Sequence, residues 1–130
     1  MLLYRVIYAS EAVGTTGSST LSIAQILGVS EPNNRRDHLT SCIMFHRGRI
    51  LQAIEGQRVD LERLMRRLEA DPRHMSLNIL SNAPIAMRRL EAPAILCADP
   101  ATLLQKIGLP CISLVTAPAA EAMLELSLAA

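Results

Sequence analysis

The stretch Leu39–Gly56, LTSCIMFHRGRILQAIEG, decides the fold of this 130-residue chain. SCIMF and RILQAIEG are two apolar segments, and His46-Arg47-Gly48 between them supplies a tight turn, so the stretch reads as a β-hairpin. Upstream, residues 2–9 (LLYRVIYA) form a short, mostly apolar run with the character of a buried strand. EAVGTTGSST follows as a loop. Ser19 or Thr20 then offers an N-cap for a helix over LSIAQILGVS, whose Leu21, Ala24, Ile26 and Leu27 suit packing on a sheet. EPNNRRDH is polar and turn-like, with room for one more helical turn before Leu39. Downstream, residues 59–69 (VDLERLMRRLE) carry Leu61, Leu64, Met65 and Leu68 at i, i+3, i+4 and i+7, the clearest amphipathic helix of the chain. Asp71-Pro72 ends it, SLNIL is a fourth strand, and AILC is a weaker fifth.

This order, β-α-β-β-α-β with an added strand, predicts an α+β fold: a ferredoxin-like, split βαβ sheet with two helices on one face, spanning residues 1–97. From Asp99 the character changes. PATLLQKIGL and AAEAMLELSL are helical patterns separated by Pro110 and Pro118, and residues 98–130 are expected to form a helical extension that caps the other sheet face or meets a partner.

Half the residues are hydrophobic, 19% are charged and the net charge is +1, which fits one folded domain and gives no general electrostatic case for nucleic acid or an anionic membrane. No apolar run approaches the roughly 20 residues of a membrane span. The N-terminus is broken by Arg5 and shows no basic leader or cleavage site. Cys42, Cys97 and Cys111 are odd in number and widely spaced, suiting a reducing compartment, so a cytoplasmic protein is expected. The apolar C-terminal helices are compatible with a homo-oligomer or with core capping.

Gly14-Thr15-Thr16-Gly17 lacks the residues of a phosphate loop, and His38, His46 and His74 lie in different segments with no second ligand at metal spacing. Cys42 sits in an apparently buried strand and suits packing better than nucleophilic chemistry. Polar groups inside apolar frames are more informative. Gln52 interrupts Ile50-Leu51 and Ala53-Ile54 on a strand that should face helices, and a buried amide must have its donors and acceptor met. Tyr8 lies on the first strand, expected beside the Gln52 strand, and its hydroxyl has the same need. A Tyr8–Gln52 hydrogen bond would satisfy both without any ligand. Asn33-Asn34, ahead of the hairpin, could end a helix or turn an amide edge toward a heterocycle such as flavin. Arg73-His74 could offer cationic hydrogen bonds to a carbonyl or phosphate, or form a solvated loop.

Together, LLYRVIYAS, SEPNNRRDHLTSCIMFHRGRILQAIEG, the D-P-R-H turn and SNAPIAMRR resemble the BLUF family of blue-light sensors using FAD, in that family's order and spacing over roughly residues 1–97. The resemblance implies a blue-light photoreceptor rather than an enzyme, with FAD (or FMN or riboflavin as substitutes) slotted between two helices. It implies that Tyr8 gives an electron and proton to the excited flavin. Gln52 would bridge Tyr8 and the ring, and Asn34 would hold the O4/N3 edge. Asn33 and Ser30 would line the entrance, Ile26 would pack on the ring face, and Arg73 would reach the O2 edge or ribityl side with His74 close by. The output would be a hydrogen-bond switch read by a downstream signalling protein. Two departures stand out: Ser41 replaces the usual glycine, and Pro93 and Ile95 stand near the usual aromatic and methionine. A flavin-free interaction module on the same scaffold is one alternative. An acylphosphatase-like hydrolase using Arg5 and Asn34 is another.

Overall fold

The computed structural model describes residues 2–12, 32–71, 74–97 and 99–129. Five strands make one sheet: β1 (Leu3–Ala12), β2 (Thr40–His46), β3 (Arg49–Gly56), β4 (His74–Ile85) and β5 (Ile95–Leu96), in spatial order β4-β1-β3-β2-β5. The first four pair antiparallel and β5 lies parallel to β2, giving the expected ferredoxin-like order with its short added strand. The hairpin closes on Arg47 and Gly48, both at positive φ (51° and 77°), as a two-residue turn matched to strand twist requires. His46 therefore belongs to β2, where it pairs with Arg49. The helix expected over LSIAQILGVS lies outside the described residues, but residues 32–36 are helical, so a turn of helix does precede Leu39.

Helix α1 (Arg58–Ala70) buries Leu61, Leu64 and Met65, three of the four positions that its periodicity picks out. It covers one sheet face, packing Val6, Tyr8, Leu39, Ile43, Ile50 and Ile54. Gly56 ends β3 directly against the Leu39 side chain, into which a Cβ would collide. Helices α2 (Pro100–Ile107) and α3 (Ala117–Ala129) cover the opposite face. Their Leu103, Leu104, Ala120, Met123 and Leu124 join Ile7, Cys42, Met44, Leu51 and Ala53 in a second core. The start of α2 follows from Asp99-Pro100: the Asp99 carboxylate accepts from Thr102 N–H at 3.1 Å, and Gly108 ends the helix at φ 77°.

β4 is much longer than the SLNIL segment that announced it. It is an edge strand, so its polar residues and Pro84 need no buried partner. Its register on β1 slips twice, between Ile7 and Tyr8 and between Ala9 and Glu11, which brackets Tyr8–Ala9 with irregularities.

Two polar nodes tie these layers. On the α3 side, Glu55 is fully buried. One carboxylate oxygen accepts from Arg5 Nε (2.9 Å) and Nη2 (2.6 Å), and the other accepts from the backbone N–H groups of Arg89 and Leu90 (both 2.8 Å). Arg5 Nη1 continues to Glu121 of α3 at 2.9 Å. On the α1 side, Asp37 accepts from Arg36 (3.2 Å), Arg63 (3.3 Å) and Arg67 (3.3 Å), joining the turn after residues 32–36 to α1. The hydrogen bond from Arg36 holds the Asp37 carboxyl below its ordinary value, against the opposing effect of burial and with the help of Arg67 and Arg63. A carboxyl with a depressed folded-state pKa stabilises above its unfolded value, and that stability is lost as pH falls through the depressed value. Asp37→Asn is therefore expected to lower neutral-pH stability by about 1 kcal/mol at most, since its arginine partners are largely solvated. The difference from the parent chain should vanish in acid, as read from melting temperature against pH.

Candidate functional site

β1 and β3 are the central neighbours of the sheet, and their register sets Tyr8 directly opposite Gln52. Both side chains lie on the α1 face, where Tyr8 is 2% and Gln52 is 7% exposed. The Tyr8 hydroxyl donates to Gln52 Oε1. Burial, and then the nearby Asp71 carboxylate, push the phenol far above its ordinary pKa of 10.0, so Tyr8 keeps its proton throughout the physiological range. With the phenol as donor in this arrangement, the amide oxygen of Gln52 faces it and the NH₂ group turns away. Among the described residues, no hydrogen bond is formed by that NH₂ group.

Asn34 stands in the middle of the 32–36 helical turn and is 1% exposed. Its Nδ2 donates to the Pro93 carbonyl at 2.9 Å and to Ser41 Oγ at 3.4 Å. The Pro93 carbonyl can only accept, which fixes the amide with nitrogen inward toward Pro93. Among the described residues, Asn34 Oδ1 is then left buried without a hydrogen-bond partner. An orphaned buried acceptor costs about 1–3 kcal/mol, a cost that a ligand N–H would remove. Ser41 and Ile43 alternate on β2 with Cys42, and Ile43 packs beside Tyr8, so Asn34, Ser41, Tyr8 and Gln52 share one sheet face. Asn33 is half-buried beside Asn34.

The other expected site residues divide into two groups. Ile26, Ser30 and Arg73 lie outside the described residues, and His74 is described only as the first backbone position of β4. Cys42 belongs to the α3-side core, where burial, then Cys97, pushes its thiol up to about 11, the behaviour of a packing cysteine. Among the described residues no three metal-ligating side chains cluster, and no helix is long and apolar enough to cross a membrane. The hydrolase alternative fails on geometry. Arg5 points to the face opposite Asn34 and its guanidinium is neutralised by Glu55 and Glu121, so these residues cannot share a substrate anion.

Two contributors were not assigned a role by their sequence position: Ser41 and the Pro93 carbonyl. Both stood out only as departures from a family pattern, and a backbone carbonyl carries no residue signature.

Comparison with known proteins bears on the family and the fold. The family profile "Sensors of blue-light using FAD" (BLUF) matches residues 3–94. A Euglena gracilis protein described as "Photoactivated adenylate cyclase subunit beta-like protein 1224-5/9F" is 31% identical over 86 residues, covering 66% of this chain and 10% of its own length. The chain thus spans about a tenth of the curated relatives that it matches. Among solved structures, "BlrB - a BLUF protein, dark state structure" superposes with a TM-score of 0.78 at 25% identity, covering 98% of this chain and 96% of that one. "BlsA ground state" shares the fold at a TM-score of 0.86 and 18% identity, covering 98% and 89%.

Proposed function

The chain belongs to the BLUF family, sensors of blue light using FAD, and on that premise we propose that it holds FAD against Tyr8, Gln52 and Asn34 and signals blue light to a protein partner. The single observation that carries this reading is the buried, unpartnered Asn34 Oδ1, on the same sheet face as the Tyr8–Gln52 hydrogen bond. The donor set fits an isoalloxazine edge, in which N–H and C=O groups alternate: Asn34 offers an acceptor, and Gln52 offers an NH₂ donor turned away from Tyr8. By resemblance to the family, Asn33, Ser30 and Ile26 would meet the ring beside Asn34, and Arg73, with His74, would reach its O2 edge or the ribityl side. FMN and riboflavin carry the same ring and compete for the same contacts.

When bound, the flavin supplies blue-light absorption and a strongly oxidising excited state. Tyr8 is a fully buried, oxidisable phenol on that face, and its proton lies on the hydrogen bond to Gln52 Oε1. The Gln52 amide has two arrangements, one accepting from Tyr8 and one turned so that its NH₂ faces Tyr8. These arrangements give β3 two hydrogen-bonding states with different strand geometry, and light biases the balance between them. Helices α2 and α3 lie under the opposite face and relay the difference to the partner.

FAD added to the purified chain should give flavin absorption bands that elute with the protein and shift reversibly to the red under blue light. A chain that stays colourless with excess FAD is a flavin-free module instead. FMN and riboflavin, tested in parallel, identify which part of FAD the pocket requires.

A further inference from the structure

Ser41 binds the segment ahead of β5 twice. Its N–H donates to the Ala92 carbonyl at 3.1 Å and its hydroxyl donates to the Pro93 carbonyl at 2.9 Å. The same Pro93 oxygen accepts from Asn34 Nδ2 at 2.9 Å, and Asn34 and Ser41 are themselves in contact at 3.4 Å. Both lone pairs of that carbonyl are therefore used, one by each side chain. We propose that Ser41 is a positioning residue that couples the ligand-facing amide of Asn34 to the attachment of β5, through the Pro93 carbonyl.

Three features of the chain carry this. First, β5 is weakly held. It has two residues, its register on β2 is limited to Cys42↔Ile95 and Ile43↔Leu96, and Ile95 is 42% exposed. The Ser41–Ala92–Pro93 bonds and the Cys97 N–H to Ile43 carbonyl bond (2.8 Å) thus supply much of its anchorage. Second, the amide of Asn34 cannot invert while Pro93 is in place, because inversion would set two acceptor oxygens against each other. Third, a donor reaching Asn34 Oδ1 polarises the amide and strengthens its N–H donors, the cooperative behaviour of linked hydrogen bonds. Occupation of Oδ1 should then tighten the Pro93 node, and a tighter node should favour the ligand in return. The Ser41 hydroxyl makes this reciprocal by holding the Pro93 carbonyl where Asn34 can reach it.

The inference rests on the flavin reading above, and the following experiment separates the two. Residue-resolved amide hydrogen exchange is measured on the full chain without flavin and with saturating FAD, for the parent, Ser41→Ala and Ser41→Thr. The amides of residue 41 and Cys97 report the two ends of the β5 attachment. In the parent, FAD should slow exchange at both by about tenfold, the equilibrium effect of strengthened hydrogen bonding at one node. Ser41→Ala should lose most of that FAD-dependent ratio, and Ser41→Thr, which keeps the hydroxyl, should restore it. A merely structural Ser41 would speed exchange equally with and without FAD, leaving the ratio at the parent value, and that result overturns the proposal. So does FAD binding that protects the β1–β3 amides but leaves residue 41 and Cys97 unchanged. Failure of FAD to bind at all, seen as absence of co-eluting flavin absorption, overturns the flavin reading and this coupling with it.

Discussion

Glu55→Ala is expected to lower the unfolding free energy of the chain by about 3–5 kcal/mol, a large part of the 5–15 kcal/mol typical of a domain. The reason is what the substitution leaves behind. Arg5, whose side chain is only 10% exposed, loses the carboxylate that meets two of its donors, and the N–H groups of Arg89 and Leu90 lose their acceptor together. A buried guanidinium left with only the rim carboxylate of Glu121, together with two unmet amides, costs far more than the pair contributed when intact. Glu121→Ala provides the contrast. Its carboxylate meets Arg5 from the half-exposed rim, with 37% of the side chain accessible, so about 1 kcal/mol or less is expected. Chemical denaturation of both variants checks the ranking. Equal losses would show that Glu55 is not the node that joins β1, β3 and the segment before β5.

That node was not legible in the sequence, and the reason is distance along the chain. Arg5 reads as an interruption of an apolar strand and Glu55 as a polar strand end. Nothing local announces that residues 50 and 116 positions from Arg5 converge on its guanidinium. The hairpin, by contrast, is written in adjacent residues, as are α1 with its i, i+3, i+4 spacing and the Asp99-Pro100 helix start. The bounds of β4 were missed because edge strands do not need apolar alternation, so SNAPI carries no strand signal although it pairs along β1. For the site, Tyr8 and Gln52 were legible because each is a polar group inside an apolar frame, and such a group needs a partner wherever it is buried. Asn34 was legible as an amide, but not the direction it faces. That direction is set by the Pro93 carbonyl, 59 residues away, and it makes the difference between a helix end and an acceptor waiting for a donor.

Tyr8→Phe should abolish the light-induced red shift outright while the chain still takes up FAD. Phenylalanine preserves the ring that packs with Val6, Ile43, Ile50 and Ile54, so the pocket wall remains. The variant lacks the oxidisable phenol and its transferable proton, and it lacks the donor that orients Gln52. In the parent chain that proton is secured by burial, which keeps the phenol neutral far above physiological pH. The same substitution carries a signature in the dark that does not depend on flavin. It strands Gln52 Oε1 in a buried site, at a cost of about 1–3 kcal/mol. Pairing it with Gln52→Met removes both polar partners at nearly constant volume, and most of that stability should return. A double-mutant cycle on the apo chain therefore measures the Tyr8–Gln52 coupling by itself, and blue-light spectra of the FAD-loaded variants measure its use. Coupling without loss of the photoresponse in Tyr8→Phe would mean that the hydrogen bond serves the fold and that another group answers the light.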